Sequence, residues 1–586
     1  MAKRKKRSNT RRDQLAPGSV AHAPQGTLRS YQVGALPILN HFLQRMKLED
    51  VLRDALGPDD PRAKHSTTTA LLVLLRNLLV SREPVYGVGE WAARYAPDLL
   101  GLLPDQIPLL NDDRLGRSLV GLFLVDSASL VLVVAAEVVH EFDIELEQLH
   151  NDSTTVTFCG AYPDAATEKR FLGQPTLAIT FGHNKDHRPD LKQLLYILTV
   201  SEDGGVPLHF RVQSGNTTDD QTHRHTWDLL CKLVGRTDFL YVADCKLATR
   251  DNMAYLAQRG GRFLSVLPRT RSEDAAFRQR LRQGQIRWQS LWQKTDDHGQ
   301  VRDCFSICDG PSLTTEGYRL IWYHSTRKAE LDAAARAGQI DKTLQRLGQL
   351  RAKISSPRTR CRDAEKIQQV VKRILEGDDT ADFVRVQIVP QPQERFRQEK
   401  PGRPGPATHY VKSVTLRFDL NYELDPVRMA AESVTDGVFP LVTNVTELSE
   451  LELLHAYKRQ PVIEKRFSQL KTDFAVAPVY LKDVRRIQAL LCVYFLALLV
   501  EALLERELRQ AMAREEIESL PLYSEGRACR WPTARRVIDL FENVERHEWV
   551  TPGGRTTVMV TELSDLQRRI LKLLGLRPET YGRCPE

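Results

Sequence analysis

The sequence is poor in the features that define disulfide scaffolds, cysteine metal sites and membrane proteins. Nine cysteines are scattered over 586 residues, and Cys304 and Cys308, the closest pair, have no second pair nearby. That pattern argues against a paired-cysteine zinc site and for a reducing compartment. The N-terminus is basic but has no apolar run after it, so no secretory signal is expected. The most apolar segment, Ala489 to Val500, lies between Gln488 and Glu501. It is too short to span a bilayer and reads as a buried helix. No repeat of solenoid period is present. What remains is an ordinary soluble composition, 42% hydrophobic and 27% charged, in a chain long enough for several domains. The formal charge of +8 favours a polyanionic partner wherever the basic residues cluster.

The first such cluster is at the start. Lys3, Arg4, Lys5, Lys6, Arg7, Arg11 and Arg12 lie in residues 1–33, which read as a disordered basic arm. It is either a solvated tail or a phosphate-contacting one. Residues 34–142 carry helical spacing, with Ser66 or Thr67 and Asp112 or Asp113 as helix caps. Near residue 144 the period changes. Ile144–Phe158, Leu177–Phe181, Leu194–Val200 and Val206–Val212 are strand candidates, with Asp203-Gly204-Gly205 as a hairpin turn. Phe239–Ala243 and Arg262–Leu267 are buried-type strands flanked by helices at 219–234 and Thr249–Gln258. The pattern predicts a mixed sheet with helices on its faces. Residues 268–435 have a different, highly charged texture and read as an insertion, with Gln391–Pro406 an exposed loop or hairpin tip. Strand character returns at 436–443, followed by a short helix at Ser449–Tyr457 and a long apolar helix at 480–512. Residues 513–586 add more helix and a hairpin through Pro552-Gly553-Gly554.

Three acidic residues stand out against this framework. Asp152 lies in the first strand, Asp244 ends the strand Phe239–Ala243, and Glu464 sits in the helix that begins near Pro461. Pro461 suits the first helical position, and Val462, Ile463, Phe467 and Leu470 form one apolar face. Alone, each aspartate is an ordinary turn residue, and the helix is an ordinary amphipathic one with a solvated charged face. Gathered together, three carboxylates are hard oxygen ligands suited to Mg²⁺ or Mn²⁺. Two such ions about 3.5–4 Å apart support phosphodiester chemistry.

The ordered set resembles bacterial insertion-sequence transposases of the DDE, RNase H-like superfamily. It is similar to the group with a Tyr-Arg-Glu-Lys signature at relative positions zero, three, seven and fourteen. Tyr457, Glu464 and Lys471 match; Gln460 stands at the Arg position, with Arg459 one residue early and Arg466 beyond. Further similar segments are N-D-S-T-T-V at 151–156, G-H-N-K-D-H-R-P-D-L-K-Q at 182–193 and S-G-N-T-T-D at 214–219. They continue with V-A-D-C-K at 242–246, D-G-V-F-P-L-V-T-N at 436–444 and P-V-Y-L-K-D-V-R-R-I at 478–487.

The resemblance implies an α/β, RNase H-like mixed sheet with flanking helices, split into 143–267 and 436–512 by the insertion. An N-terminal helical DNA-binding domain at 34–142 precedes it. It implies a transposase that binds its element's terminal inverted repeats, cleaves DNA with two Mg²⁺ or Mn²⁺ ions and joins 3′-hydroxyl ends to target DNA. Asp152, Asp244 and Glu464 would be the catalytic, metal-holding residues. Tyr457, Arg459, Arg466 and Lys471 would position phosphates, and Lys185, Arg188 and Lys192 would touch the DNA backbone, with a solvated hairpin as the plainer account of the last three. The expected setting is a homodimer on double-stranded DNA in bacterial cytoplasm, with no membrane contact. The rivals are a nuclease of the same fold that cuts without joining, and a transposase-derived DNA-binding protein without catalysis. His183, Asp186, His187 and Asp190 suggest a metal site, but Pro189 and the loop composition argue against one. Trp288, Trp292 and Trp322 suit core packing better than stacking on an unpaired base.

Overall fold

The computed structural model describes residues 26–582 except 297, 311, 357–358, 360–361, 478, 480 and 524. The basic cluster between Lys3 and Arg12, and positions 478 and 480 of the last matched segment, lie outside the described residues. In chain order, β1 (Thr27–Gln32) precedes helices α1 (Leu36–Arg45), α2 (Leu48–Leu56), α3 (Thr67–Val80), α4 (Asp112–Leu124) and α5 (Ser127–Phe142). Then come β2 (Gln148–Phe158), β3 (Lys192–Ser201), β4 (Pro207–Ser214), α6 (His223–Val234), β5 (Leu240–Ala243), α7 (Arg250–Gln258) and β6 (Arg262–Val266). β7 (Trp288–Thr295), β8 (Val301–Cys308) and β9 (Arg319–Ser325) lead to α8 (Thr326–Ser355), α9 (Ala364–Gly377) and the long strands β10 (Val384–Gln398) and β11 (Tyr410–Leu424). The remainder is β12 (Val438–Thr443), α10 (Glu450–Lys458), α11 (Pro461–Ser468), α12 (Val484–Arg514), β13 (Glu545–Val550) and β14 (Thr556–Val560), with smaller elements between.

The chain divides into two compact units. The first is the described part of Met1–Leu146 with Ser153–Thr217 and Val462–Glu586. Its helices start where side chains satisfy free backbone donors. Ser66 accepts from the Thr69 N–H at 2.9 Å. At α4 the cap is Asn111, which accepts from Arg114 N–H at 2.9 Å, and Asp112 and Asp113 fill the first turn, where their charge suits the helix dipole. α12 is 31 residues long, and 94% of its most apolar window is buried in protein. It packs with α1, α3, α4 and β4, so its apolar surface is covered by this unit's own core. Of the arm expected at 1–33, the described part includes a strand. Thr27–Gln32 is β1, paired antiparallel with β13 from Thr27↔Val550 to Gln32↔Glu545. Its partner is so distant in sequence that no local pattern announces it.

Strands β4, β3 and β2 are neighbours in this unit, with β3 and β4 antiparallel. Gly204 and Gly205, both at positive φ (71° and 63°), make the hairpin turn between them. The second unit is Glu147–Asp152 with Thr218–Pro461. It carries the strand order β2-β5-β6-β12-β9-β8-β7. β2–β5 and β5–β6 are parallel, and β6–β12 and β12–β9 are antiparallel. β2 belongs to both units, its first residues to one and the rest to the other. The result is the mixed α/β, RNase H-like sheet that the period change at residue 144 anticipates.

The segment 268–435 is not a single insertion. β7, β8 and β9 continue the strand order beyond β12, and Trp322 stacks on Phe277 at 3.8 Å while Trp292 packs on Phe305 and His455. What stands apart is α8, α9, β10 and β11, which share their own core of Leu347, Leu350, Ile367, Val371, Phe418 and Leu420.

Candidate active site

Two of the expected acids come at neighbouring places on adjoining strands. Asn151 of β2 lies opposite Ala243 of β5 in a parallel pair, so Asp152 and Asp244 come at the next register position. Side chains alternate along a strand. Gln148 and His150 therefore face the same way as Leu240 and Val242, as does Asp152 further along β2. α10 covers that face, with Leu453, Leu454 and Ala456 packed on Leu240 and Val242. Adjacent strands are about 4.8 Å apart, and the pair lies at the C-terminal end of β5, where α/β sheets present ligand sites. Asp244 shapes that end. Its carbonyl accepts from Leu247 N–H at 3.1 Å and from the Ser265 hydroxyl at 2.6 Å. Its Oδ1 accepts from Lys246 N–H at 3.0 Å. Asp152 is half-buried.

A hydrogen-bond relay runs beside Asp152. Gln148 Nε2 donates to Ala456 O at 3.0 Å and to His150 Nε2 at 2.8 Å. With Nε2 accepting, the ring proton must sit on Nδ1, which lies 2.9 Å from Gln460 Oε1 and donates to it. Gln460 Nε2 then donates to Asn151 O at 3.4 Å. Gln148 donates both of its amide hydrogens, Gln460 uses both its oxygen and its nitrogen, and the imidazole between them is neutral. Burial drives its pKa down to about 4, the Gln460 hydrogen bond opposes that shift, and the nearby Arg459 charge adds to it. Gln460, at the signature's Arg position, thus ties the end of α10 to the strand that carries Asp152.

The opposite face is also polar. The buried Tyr241 hydroxyl lies 3.1 Å from His223 Nδ1. Burial, then the Asp244 charge, push its phenol pKa well above the usual value, against the pull of an Asn151 hydrogen bond.

The remaining candidates occupy varied places. Tyr457 ends α10 half-buried against Phe439, with ring centroids 6.4 Å apart, and Arg459 is exposed. Pro461 opens α11 as expected, and in the first unit Ile463, Phe467 and Leu470 are buried. Glu464 is exposed and makes no hydrogen bond or ion pair among the described residues. The helix does not run regularly to Lys471. It ends at Ser468 and passes into a π turn, Gln469–Asp473. Lys471 therefore does not keep the phase that a seven-residue step from Glu464 implies. It pairs with Asp186 at 2.5 Å.

Arg466 requires a correction. Expected at a phosphate, it is 1% exposed. Its guanidinium donates to Gly205 O and Gly204 O, each at 2.8 Å, to Gln469 at 2.7 Å and to Glu505 at 2.9 Å. Its place on the buried side of α11 makes it the counter-charge of a buried acid on α12. Lys185 donates to Ser153 O at 2.8 Å and to its hydroxyl at 2.7 Å. Arg188 pairs with Asp190 at 2.7 Å, and Lys192 donates to Ala161 O. Lys185 thus braces the residue after Asp152, and the other two bind their own hairpin and its surroundings.

Among the described residues, no three His, Cys, Asp or Glu side chains form a group able to hold a metal ion. Asp152 and Asp244 do have the donor chemistry of a hard divalent cation: two carboxylates from adjoining strands, without sulfur or imidazole. Sequence reasoning missed the relay. The alternation Gln148-x-His150-x-Asp152 was its signal, since polar groups on one face of a buried strand need partners.

Residues 147–500, more than half of the chain, match the family model described as transposase DDE domain. The chain belongs to this family of DDE transposases. No curated protein matches it significantly. Among solved structures it is similar to the piggyBac transposase in a cryo-EM synaptic complex with hairpin DNA. The identity is 9%, the coverage 80% of this chain and 73% of that chain, and the TM-score 0.32, a likeness too distant to bear on the site.

Proposed function

We propose that this chain is an active DNA transposase that cuts at its element's terminal inverted repeats and joins the freed 3′-hydroxyls to target DNA. The observation that supports this most is that Asp152 and Asp244 each come one residue after Asn151 and Ala243, a registered pair of adjoining parallel strands, in a chain that belongs to the DDE family. Glu464 joins them as third carboxylate on the strength of its order in the sequence and its unengaged, exposed side chain.

Asp152, Asp244 and Glu464 would hold two Mg²⁺ or Mn²⁺ ions, which supply Lewis-acid stabilisation of the phosphodiester oxygens and a deprotonated nucleophile. The chain's own residues do the positioning. The relay through His150 and Gln460 fixes β2 against α10 without placing a charge beside the acids. Lys471, held by Asp186, is a cation that exchanges a carboxylate for a phosphate. Tyr457, Arg459 and Lys185 contribute to phosphate positioning, with Arg188 and Lys192 on their own hairpin. Two ends must be cut and joined together, so the working form is a homodimer on double-stranded DNA.

The test is strand transfer from pre-cut ends. With Mg²⁺ or Mn²⁺ the protein joins a labelled end that exposes a 3′-hydroxyl to a plasmid; chelation abolishes joining. Cleavage of intact ends without any joining would leave a nuclease and exclude this reading.

A further inference from the structure

The most unusual element is the β10–β11 ribbon. Its strands pair over fifteen positions, from Val384↔Leu424 to Gln398↔Tyr410. Directly paired residues share a face. One face carries Val384, Val386, Ile388, Phe418, Leu420 and Tyr422, which pack on α8 and α9. Beyond those helices the same face continues outward as Leu416, Val414, Phe396 and Tyr410, all exposed. Its charges there cancel, because Glu394 pairs with Lys412 at 2.5 Å.

The other face is of a different kind. Its outer pairs are Gln391↔Arg417, Gln393↔Thr415, Arg395↔Ser413 and Arg397↔Val411. These eight residues include three arginines, four uncharged hydrogen-bonding side chains and no acid. Nearer the base, Asp419 is neutralised by Arg351 at 2.8 Å. Arg395 and Arg397 are exposed and have no carboxylate partner among the described residues. At the tip, Lys400 and Arg403 outnumber Glu399. Charge is thus segregated across a ribbon only two strands wide.

We propose that the outer half of this ribbon is a duplex-DNA-binding surface, with the Arg395–Arg397 face against the phosphates. The proposal rests on the transposase reading for its ligand and goes beyond it in assigning the site. A face of arginines, glutamines and hydroxyls without acids is chemically complementary to a polyanion lined with acceptors. A two-stranded ribbon, about 5 Å between strands, fits within a major groove about 12 Å wide. A protein partner would take the apolar face instead.

The test is equilibrium binding of the full chain to a labelled duplex of arbitrary sequence, followed by fluorescence anisotropy across a salt series. Each phosphate contact contributes about 0.9 to the slope of log affinity against log salt. Replacing both guanidiniums, Arg395→Gln with Arg397→Gln, is expected to weaken binding at low salt and flatten the slope by roughly two contacts' worth. Val414→Thr with Leu416→Thr, on the opposite face, is expected to leave the slope unchanged. An unaltered slope in the arginine variant, or an equal loss in both variants, overturns the ribbon assignment while leaving the transposase reading intact. Failure of the unmodified chain to bind any duplex overturns both.

Discussion

His150 shows how one residue can serve a charged site by having no charge. It is held neutral between Gln148 and Gln460, with its pKa at about 4. In the unfolded chain it would titrate near 6.5. Between those values the unfolded state binds the extra proton, so this group's contribution to stability falls as pH drops from about 6.5 to about 4 and is fully present above that window. His150→Asn should flatten the acid limb of the stability curve there, measured by denaturant unfolding at several pH values. Gln460→Ala should cost about 1–3 kcal/mol near neutral pH, because it strands a buried donor on His150. An unchanged pH profile in the His150 variant would mean that the ring is not buried neutral in solution. The signature departure at Gln460 was legible in the sequence, but its consequence was not, because the partner lies 310 positions away.

At the scale of elements, the segment from α11 into its π turn depends on α12. Burial alone would raise Glu505, but Arg466, Lys465 and Arg509 outweigh it and bring its pKa down to about 2. Glu501, one turn away, is pushed up to about 8 by burial and then by the Glu505 and Asp473 charges, against the pull of Arg466 and Arg535. The coupled pair therefore holds one charge and one proton at neutral pH. A raised acid is stabilising only below its unfolded value, so Glu501 costs stability progressively from about pH 4.5 to about pH 8. Glu501→Gln should raise the melting temperature more at pH 9 than at pH 5. A gain of about 1–2 kcal/mol at the higher pH is the expected scale. An equal effect at both pH values would show that Glu501 does not carry a proton into the folded state. Alternation and turn glycines announced β2, β3, β4 and the helices. The π turn was not readable, because Val462 to Leu470 keep an apolar face whether or not the last turn widens. Arg466 was misread for a related reason: a basic residue on a charged helix looks solvent-facing until a buried acid on another element is known.

At the scale of the molecule, the order of the acidic residues, the period change near residue 144 and the long apolar helix were all legible, and together they gave the family. The extent of the insertion was not. β9 pairs with β12 across a gap of more than 100 residues, and no local pattern separates such a strand from an independent domain. β1 escaped for the same reason. The central claim is that Asp152, Asp244 and Glu464 act together in DNA cleavage. It is tested most directly by changing each to alanine and measuring end binding and Mg²⁺-dependent strand cleavage on the same preparations. Loss of cleavage in all three, with end binding largely retained, is the predicted result. Cleavage that persists in any one of them would contradict the account.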